Sequence, residues 1–266
     1  MKGLDDKVAY RHATKAGNRG DVWKHAILFG VARRLIDQHQ HRVQDGSPFL
    51  YAESHAGPGR YCLTKGGKWE KGIGSVCGAS LTPDIAKLFS TDHEEYRGSW
   101  VMVRDLLQQM GCPGRMKLWE TDPEAASAAR SNASPQEKVC TSDGFVGVAS
   151  ANADLTLIDP PYRADDDWRA AGLLAQTLHS QGRSFLLWYH IAWPSKPQAL
   201  VDFLGLPSHE ALWAPFGEMP SQNSKGCGII ASGDVEHFLA DLNLPQIAQS
   251  FHAKYVQRYP APQART

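Results

Sequence analysis

The chain has 266 residues with 28 Lys+Arg balanced by 28 Asp+Glu, 42% hydrophobic and 21% charged residues, which is enough for one α/β domain carrying at most a small insertion. Zero formal charge excludes a surface coated in basic residues, and no apolar run approaches the roughly 18 residues that a membrane span requires. The opening MKGLDDKVAYRHATKAGNRGDVWKH lacks the apolar centre of a secretory signal, so a cytoplasmic location is expected.

After a polar N-terminal arm, DVWKHAILFGVARRLIDQH places Val22, Ala26, Ile27, Ala32 and Leu35 at helical spacing, with Asp21 positioned to cap the helix. PFLYAES, residues 48–54, is a short apolar run that stops at HAGPGRY and predicts a buried strand. Residues 61–95 are glycine-dotted and weakly periodic, and predict a subdomain inserted into a single domain spanning 1–266. Ser99 is expected to cap a helix beginning GSWVMVRDLL. MKLWE is then a strand, DPEAASAARSN a helix, EKVCTSD and DLTLIDPPY strands, WRAAGLLAQTLHSQ a helix and SFLLWYH a strand. LWAPF and GCGIIASG predict a closing strand pair, followed by a helix from Asp234 to about Leu244.

Strands alternating with helices predict a doubly wound, mostly parallel sheet, in which ligands bind beyond the carboxyl ends of the strands. ESHAGPG, WETD, SDG and DPPY all stop at that edge. Gly57 and Gly59 let backbone approach a ligand closely, but the third glycine of the dinucleotide fingerprint is missing, which disfavours a nicotinamide enzyme. Glu120 ends a strand with a carboxylate that can accept from both hydroxyls of a ribose, and Asp143-Gly144 can bring another near an adenine amine. In this order the segments describe a nucleoside cofactor laid across the sheet edge.

Asp159-Pro160-Pro161-Tyr162 is the sharpest signal. Two prolines fix φ and remove two N–H donors, leaving carbonyl acceptors beside the Asp159 carboxylate and the flat face of Tyr162. Such a corner suits a planar base with an exocyclic amine, held by Asp159 and the Pro160 carbonyl and stacked on Tyr162. An adenine amine is a poor nucleophile because its lone pair is delocalised. Two acceptors favour a more tetrahedral nitrogen, and positioning with electrostatics then supplies rate.

Together these segments resemble the S-adenosylmethionine-dependent amino-methyltransferases, and the front of the chain resembles the RlmJ family, which methylates adenine N6 in large-subunit ribosomal RNA. The matching residues are Tyr10-Arg11-His12, Ala16-Gly17-Asn18, Asp21-Val22, Lys24-His25, Ser54 to Tyr61, Gly98-Ser99, Glu120 to Pro123, Asp143-Gly144-Phe145 and Asp159 to Tyr162. The resemblance implies a Rossmann-like class I methyltransferase fold with a seven-stranded sheet. It implies cofactor contacts at His25, His55, Gly57, Ser99, Glu120, Asp143 and Gly144, and substrate-side roles for Tyr10, His12 and Lys24 beside the catalytic Asp159, Pro160, Pro161 and Tyr162. The chain departs from the family at Glu53-Ser54, where Asp-Thr is usual, so the carboxylate stands one methylene further from the backbone.

The expected cofactor is S-adenosylmethionine and the expected partner ribosomal RNA, unstructured or in a protein-free precursor, because an extruded base costs less to present there. Nine Lys/Arg against four Asp/Glu over residues 1–42 give the N-terminal segment a basic excess that suits phosphates. Cys62, Cys77, Cys112, Cys140 and Cys227 form no C-x-x-C pair, so neither a metal nor a disulfide framework is expected. A DNA adenine methyltransferase and a non-catalytic nucleic-acid-binding module are the alternatives.

Overall fold

The computed structural model describes residues 15–43, 45–89, 95–216 and 224–262. Tyr10 and His12 lie outside the described residues.

The chain opens with α1 (Arg19–Arg42), whose cap corrects the sequence reading. Asn18, not Asp21, is the N-cap: its side chain accepts from Gly20 N at 2.7 Å, while Asp21, at the third helical position, accepts from Asn18 N at 3.2 Å. This reciprocal arrangement satisfies two of the donors that a helix start leaves orphaned. Val22 to Phe29 are all buried, because the first half of the helix is enclosed between the sheet and its neighbours.

The strands β1 (Phe49–Glu53), β4 (Gly114–Trp119), β5 (Glu137–Cys140), β6 (Leu155–Ile158) and β7 (Phe185–Ile191) form a parallel core, alternating with α3 (Ser99–Gln109), α4 (Pro123–Asn132), α5 (Gly144–Ala149) and α6 (Asp165–Ser180). Strands covered on both faces read as near-continuous apolar runs, which is why LTLI and FLLWYHI were recognisable. After α7 (Ser195–Leu204) come β8 (Ser208–Leu212) and β9 (Gly226–Ser232), then α8 (Asp234–Leu239), α9 (Leu244–Ser250) and β10 (Lys254–Arg258).

The sheet has eight strands in the order β10-β8-β9-β7-β6-β1-β4-β5, not the seven expected, since β10 pairs antiparallel with β8 and extends one edge. The closing pair also differs from expectation. Its first strand is SHEAL rather than LWAPF, and the helix expected from Asp234 to Leu244 breaks at Leu239.

The order of neighbours reverses between β1 and β6, the switch point where doubly wound sheets open a crevice. One hydrophobic cluster joins α1 and α3 to one sheet face, and another joins α5, α6 and α7 to the opposite face. Between β2 (Arg60–Cys62) and β3 (Glu95–Arg97), which pair antiparallel, the described residues make three single-turn 3-10 helices and α2 (Pro83–Leu88).

Candidate active site

A cleft of about 990 Å³ lies over the switch point, at the upper end of the roughly 300–1,000 Å³ usual for ligand sites. Its walls bring together residues 135 positions apart. Lys24, one turn along α1 from Asp21, reaches Asp159 at the end of β6, with Nζ 2.5 Å from Asp159 Oδ2 and 3.1 Å from Asp21 Oδ1. Burial works against the Lys24 charge, but Asp159 and Asp21 outweigh it and hold its pKa well above the ordinary lysine value. The ammonium also sits 5.4 Å from the centroid of the Trp188 ring. Helix cap, Asp21, Lys24 and Asp159 therefore form one polar chain from the start of α1 to the diproline corner.

His25, the next residue, is buried and stacked on Tyr96 at 5.5 Å, with its Nδ1 hydrogen-bonded to the Tyr96 hydroxyl. Burial, reinforced by the Lys24 charge, pushes the imidazole down to about 3, so the ring is neutral at neutral pH. Its Nε2 has no partner among the described residues, and His25 lines the cleft. A buried nitrogen without a hydrogen bond on the wall of a cleft marks a position for a ligand's polar group.

The end of β1 supplies the floor. Glu53 accepts from Tyr51 Oη at 2.8 Å and from Ser99 Oγ, and burial pushes its carboxyl up to about 8. Ser99 thus corrects a second sequence reading: Gly98 is the N-cap of α3 and the Ser99 hydroxyl turns back to Glu53.

Gly57, at φ +58, turns the backbone under the cleft and donates its N–H to Glu120 Oε2 at 2.9 Å, while Asp122 N donates to Glu120 Oε1 at 2.8 Å. Glu120 is thereby fixed with both oxygens anchored, each with a remaining lone pair, on the cleft wall.

The residues expected to bind cofactor divide into two groups. His25, His55, Gly57, Ser99 and Glu120 line the cleft together with Glu53. Asp143 and Gly144 do not. Asp143 caps α5 through Phe145 N at 2.8 Å, and Gly144 is pressed so closely on Ser54 that a Cβ would stand 1.8 Å from its carbonyl oxygen. Phe145 then packs edge-on against His55, with centroids 4.8 Å apart, so this segment shapes the cleft from behind.

Asp159, Pro160 and Pro161 line the cleft, but Tyr162 does not. Its ring is buried against Trp168, with centroids 4.4 Å apart, and its hydroxyl donates to the Trp188 carbonyl at 2.7 Å. The backbone there adopts φ 49, a left-handed conformation uncommon for a bulky residue and typical of functional corners. Besides His25, His55, Tyr61 and Tyr96, the rings of Trp188, His190 and Trp213 line the cleft. Sequence reading missed Trp188, His190 and Trp213, although Trp188 and His190 stand two apart on β7 and so share a sheet face.

The donor set fits S-adenosylmethionine: an unpartnered imidazole nitrogen, a glycine turn that admits close backbone approach, and a fixed carboxylate suited to a diol. His25, His55, Gly57, Ser99 and Glu120 would hold it. Among the described residues, no group of three His, Cys, Asp or Glu side chains could hold a metal ion.

An open sheet with this reversal point, an antiparallel β9 inserted between β7 and β8, and a cleft above the β1 and β6 ends is the Rossmann-like class I methyltransferase fold. A solved structure of a Legionella pneumophila protein shares the fold at TM-score 0.70 and 19% identity, covering 92% of this chain and 98% of that one. The chain is similar to two curated proteins named Ribosomal RNA large subunit methyltransferase J. The Escherichia coli protein is 25% identical over 250 residues, 85% of each chain, and the Haemophilus influenzae protein 30% identical over 183 residues, 60% of this chain and 62% of that one. No family model matches the chain.

Proposed function

We propose that this protein transfers a methyl group from S-adenosylmethionine to the N6 amine of an adenine in 23S ribosomal RNA, as a single domain with residues 61–95 inserted into it. The observation that carries the reading is the diproline corner on the cleft wall, with Asp159 clamped by Lys24 beside the residues suited to the cofactor. The names and coverage of the two curated relatives support the RNA substrate.

When bound, the cofactor would supply an electrophilic sulfonium methyl group, whose thioether leaves with the electron pair of the broken S–C bond as a nucleophile takes the methyl. The protein's part is positional and electrostatic. Asp159 and the Pro160 carbonyl accept the two hydrogens of the target amine, which localises its lone pair for in-line attack. Lys24 fixes the Asp159 carboxylate in place, and Asp21 fixes Lys24. The base enters between Pro161 and the Trp188–His190 wall, with stacking on those faces replacing the stacking it loses on leaving its strand. Tyr162 contributes by holding β7, through the Trp188 carbonyl, at the distance from the corner that the base requires.

The test is labelled methyl transfer to protein-free 23S RNA, to assembled large subunits and to DNA, followed by mapping of N6-methyladenine in ribosomal RNA from cells with and without the gene. Transfer to RNA, with loss of one mapped adenine in the deletion strain, is the expected result. Transfer to DNA alone would overturn it.

A further inference from the structure

The insertion was read from sequence only as a glycine-dotted, weakly periodic segment, yet its first 3-10 turn, Lys68–Lys71, lies on the mouth of the cleft. A close clamp places it there. Gly72 packs directly on the N-terminal loop, so that a Cβ would come within 1.9 Å of the Gly17 carbonyl oxygen. That same oxygen accepts from Ile73 N at 2.9 Å, and Arg19 Nε donates to the Lys71 carbonyl at 3.1 Å. The turn's lysines are thereby carried to the rim beside Lys15 and Arg19, while Arg163, in the connection that follows the diproline corner, lines the rim from the β6 side.

Cations from three separate parts of the chain thus converge on one opening. They do so at a cost in mutual repulsion: burial, then the Lys68 charge, then the Arg163 charge, hold the Lys15 ammonium below its ordinary pKa. Lys68 and Lys71 are exposed and, among the described residues, neither has an acidic partner within salt-bridge distance. Glu70 of the same turn and Asp122 also line the cleft, with Glu70 Oε1 accepting from Gly66 N at 2.7 Å; a rim on which five cations from three parts of the chain surround an amine-binding corner is matched to a polyanion whose reacting unit enters the cleft.

We propose that Lys68 and Lys71 of the insertion, with Lys15, Arg19 and Arg163 facing them, form a clamp for the RNA phosphates flanking the adenine held at Asp159. The inference rests on the RNA methyltransferase reading above and adds to it a second strand contact that the N-terminal segment alone does not provide. It assigns the insertion the task of straddling the target strand. Such contacts fix register on the strand and carry no sequence information, so choice of adenine lies with the base pocket and the shape of the RNA.

The test is a Lys68→Gln/Lys71→Gln double variant, compared with wild type and with a Lys117→Gln/Lys138→Gln control that removes the same charge from exposed positions on β4 and β5 outside the cleft. The probe is an adenine-containing single-stranded RNA oligonucleotide, its affinity measured over a range of salt concentrations, and cofactor affinity is measured by calorimetry. The clamp variant should lose about tenfold in RNA affinity, and its log K against log salt slope should flatten by about 1.4, two single-strand phosphate contacts. Its cofactor affinity should hold, and the control should keep the wild-type slope. An unchanged slope in the clamp variant or equal flattening in the control would overturn the clamp. Wild-type protein that methylates RNA while the clamp variant binds it equally well would reject only the clamp. Wild-type protein inert on RNA would reject the underlying reading too.

Discussion

Two buried ion pairs stand on opposite sides of the sheet and use the same chemistry for different ends. At the far edge, Arg258 of β10 grips Glu210 of β8 through two nitrogens, at 2.6 and 2.9 Å, while the Tyr189 hydroxyl donates to Glu210 at 2.8 Å and Arg258 donates to Gln198 at 3.0 Å. At the switch point, Lys24 holds Asp159 through a single point charge on the wall of a cleft. The first pair spends its hydrogen-bonding capacity inside the protein and fastens an edge strand. The second keeps lone pairs of Asp159 available. A planar guanidinium suits the closed site and a compact ammonium the open one.

The comparison breaks most visibly at the closed pair. Arg258→Ala leaves a wholly buried carboxylate without its cation and should cost about 3–5 kcal/mol in denaturant unfolding, whereas Arg258→Met combined with Glu210→Leu should recover most of that loss. A double variant as unstable as the single one would show that the pair is not the source of the effect.

At the open pair the effect should fall on rate. Asp159→Asn keeps the shape and weakens one acceptor, so kcat should drop about 100- to 1,000-fold, equivalent to about 2.7–4 kcal/mol, while cofactor affinity stays near wild type. Tyr162→Ala should reduce RNA turnover more than cofactor affinity, through displacement of the β7 wall. Equal losses in both would place its role on the cofactor side.

Glu53, at the end of β1, is a buried acid that among the described residues has no salt-bridge partner. Its pKa is about 8 in the folded protein against an ordinary value of 4.5. A raised folded pKa means that its contribution to stability is complete below pH 4.5 and is lost as pH rises toward 8. Wild-type melting temperature should therefore fall across that window more steeply than that of Glu53→Gln, and parallel curves would remove the buried carboxyl as the cause. The smallest effect belongs to the exposed Arg33–Asp84 pair, both half in solvent, where Asp84→Asn should change stability by less than about 1 kcal/mol.

Legibility followed the range of the interaction. The glycine turn, Glu120 and the diproline corner each declare themselves within a few residues, and parallel strands buried on both faces stand out as apolar runs. The β8 strand did not, because its inward residue is Glu210, a charge that looks exposed until Arg258, 48 positions later, is brought against it. The Trp213 to Phe216 segment was taken for that strand because it is apolar, yet it belongs to the connection beside the cleft. Asp21 and Ser99 were both read as caps from their residue type. Asp21 is instead the third residue of its helix, where it completes the cap begun by Asn18 and also pairs with Lys24, and Ser99 is the first residue of its helix, with its hydroxyl turned to Glu53.

By itself, then, the sequence determined the alternation of strands and helices, the edge at which ligands gather and the chemistry of the acid-diproline corner, since all of these depend on local periodicity and fixed φ angles. Tertiary structure decided which cation holds Asp159, which rings face the cleft, and that the insertion's lysines meet those of the N-terminal loop at one rim. Those outcomes depend on charges and backbones brought together across 50 to 135 residues, and only the burial that closes the fold sets such distances.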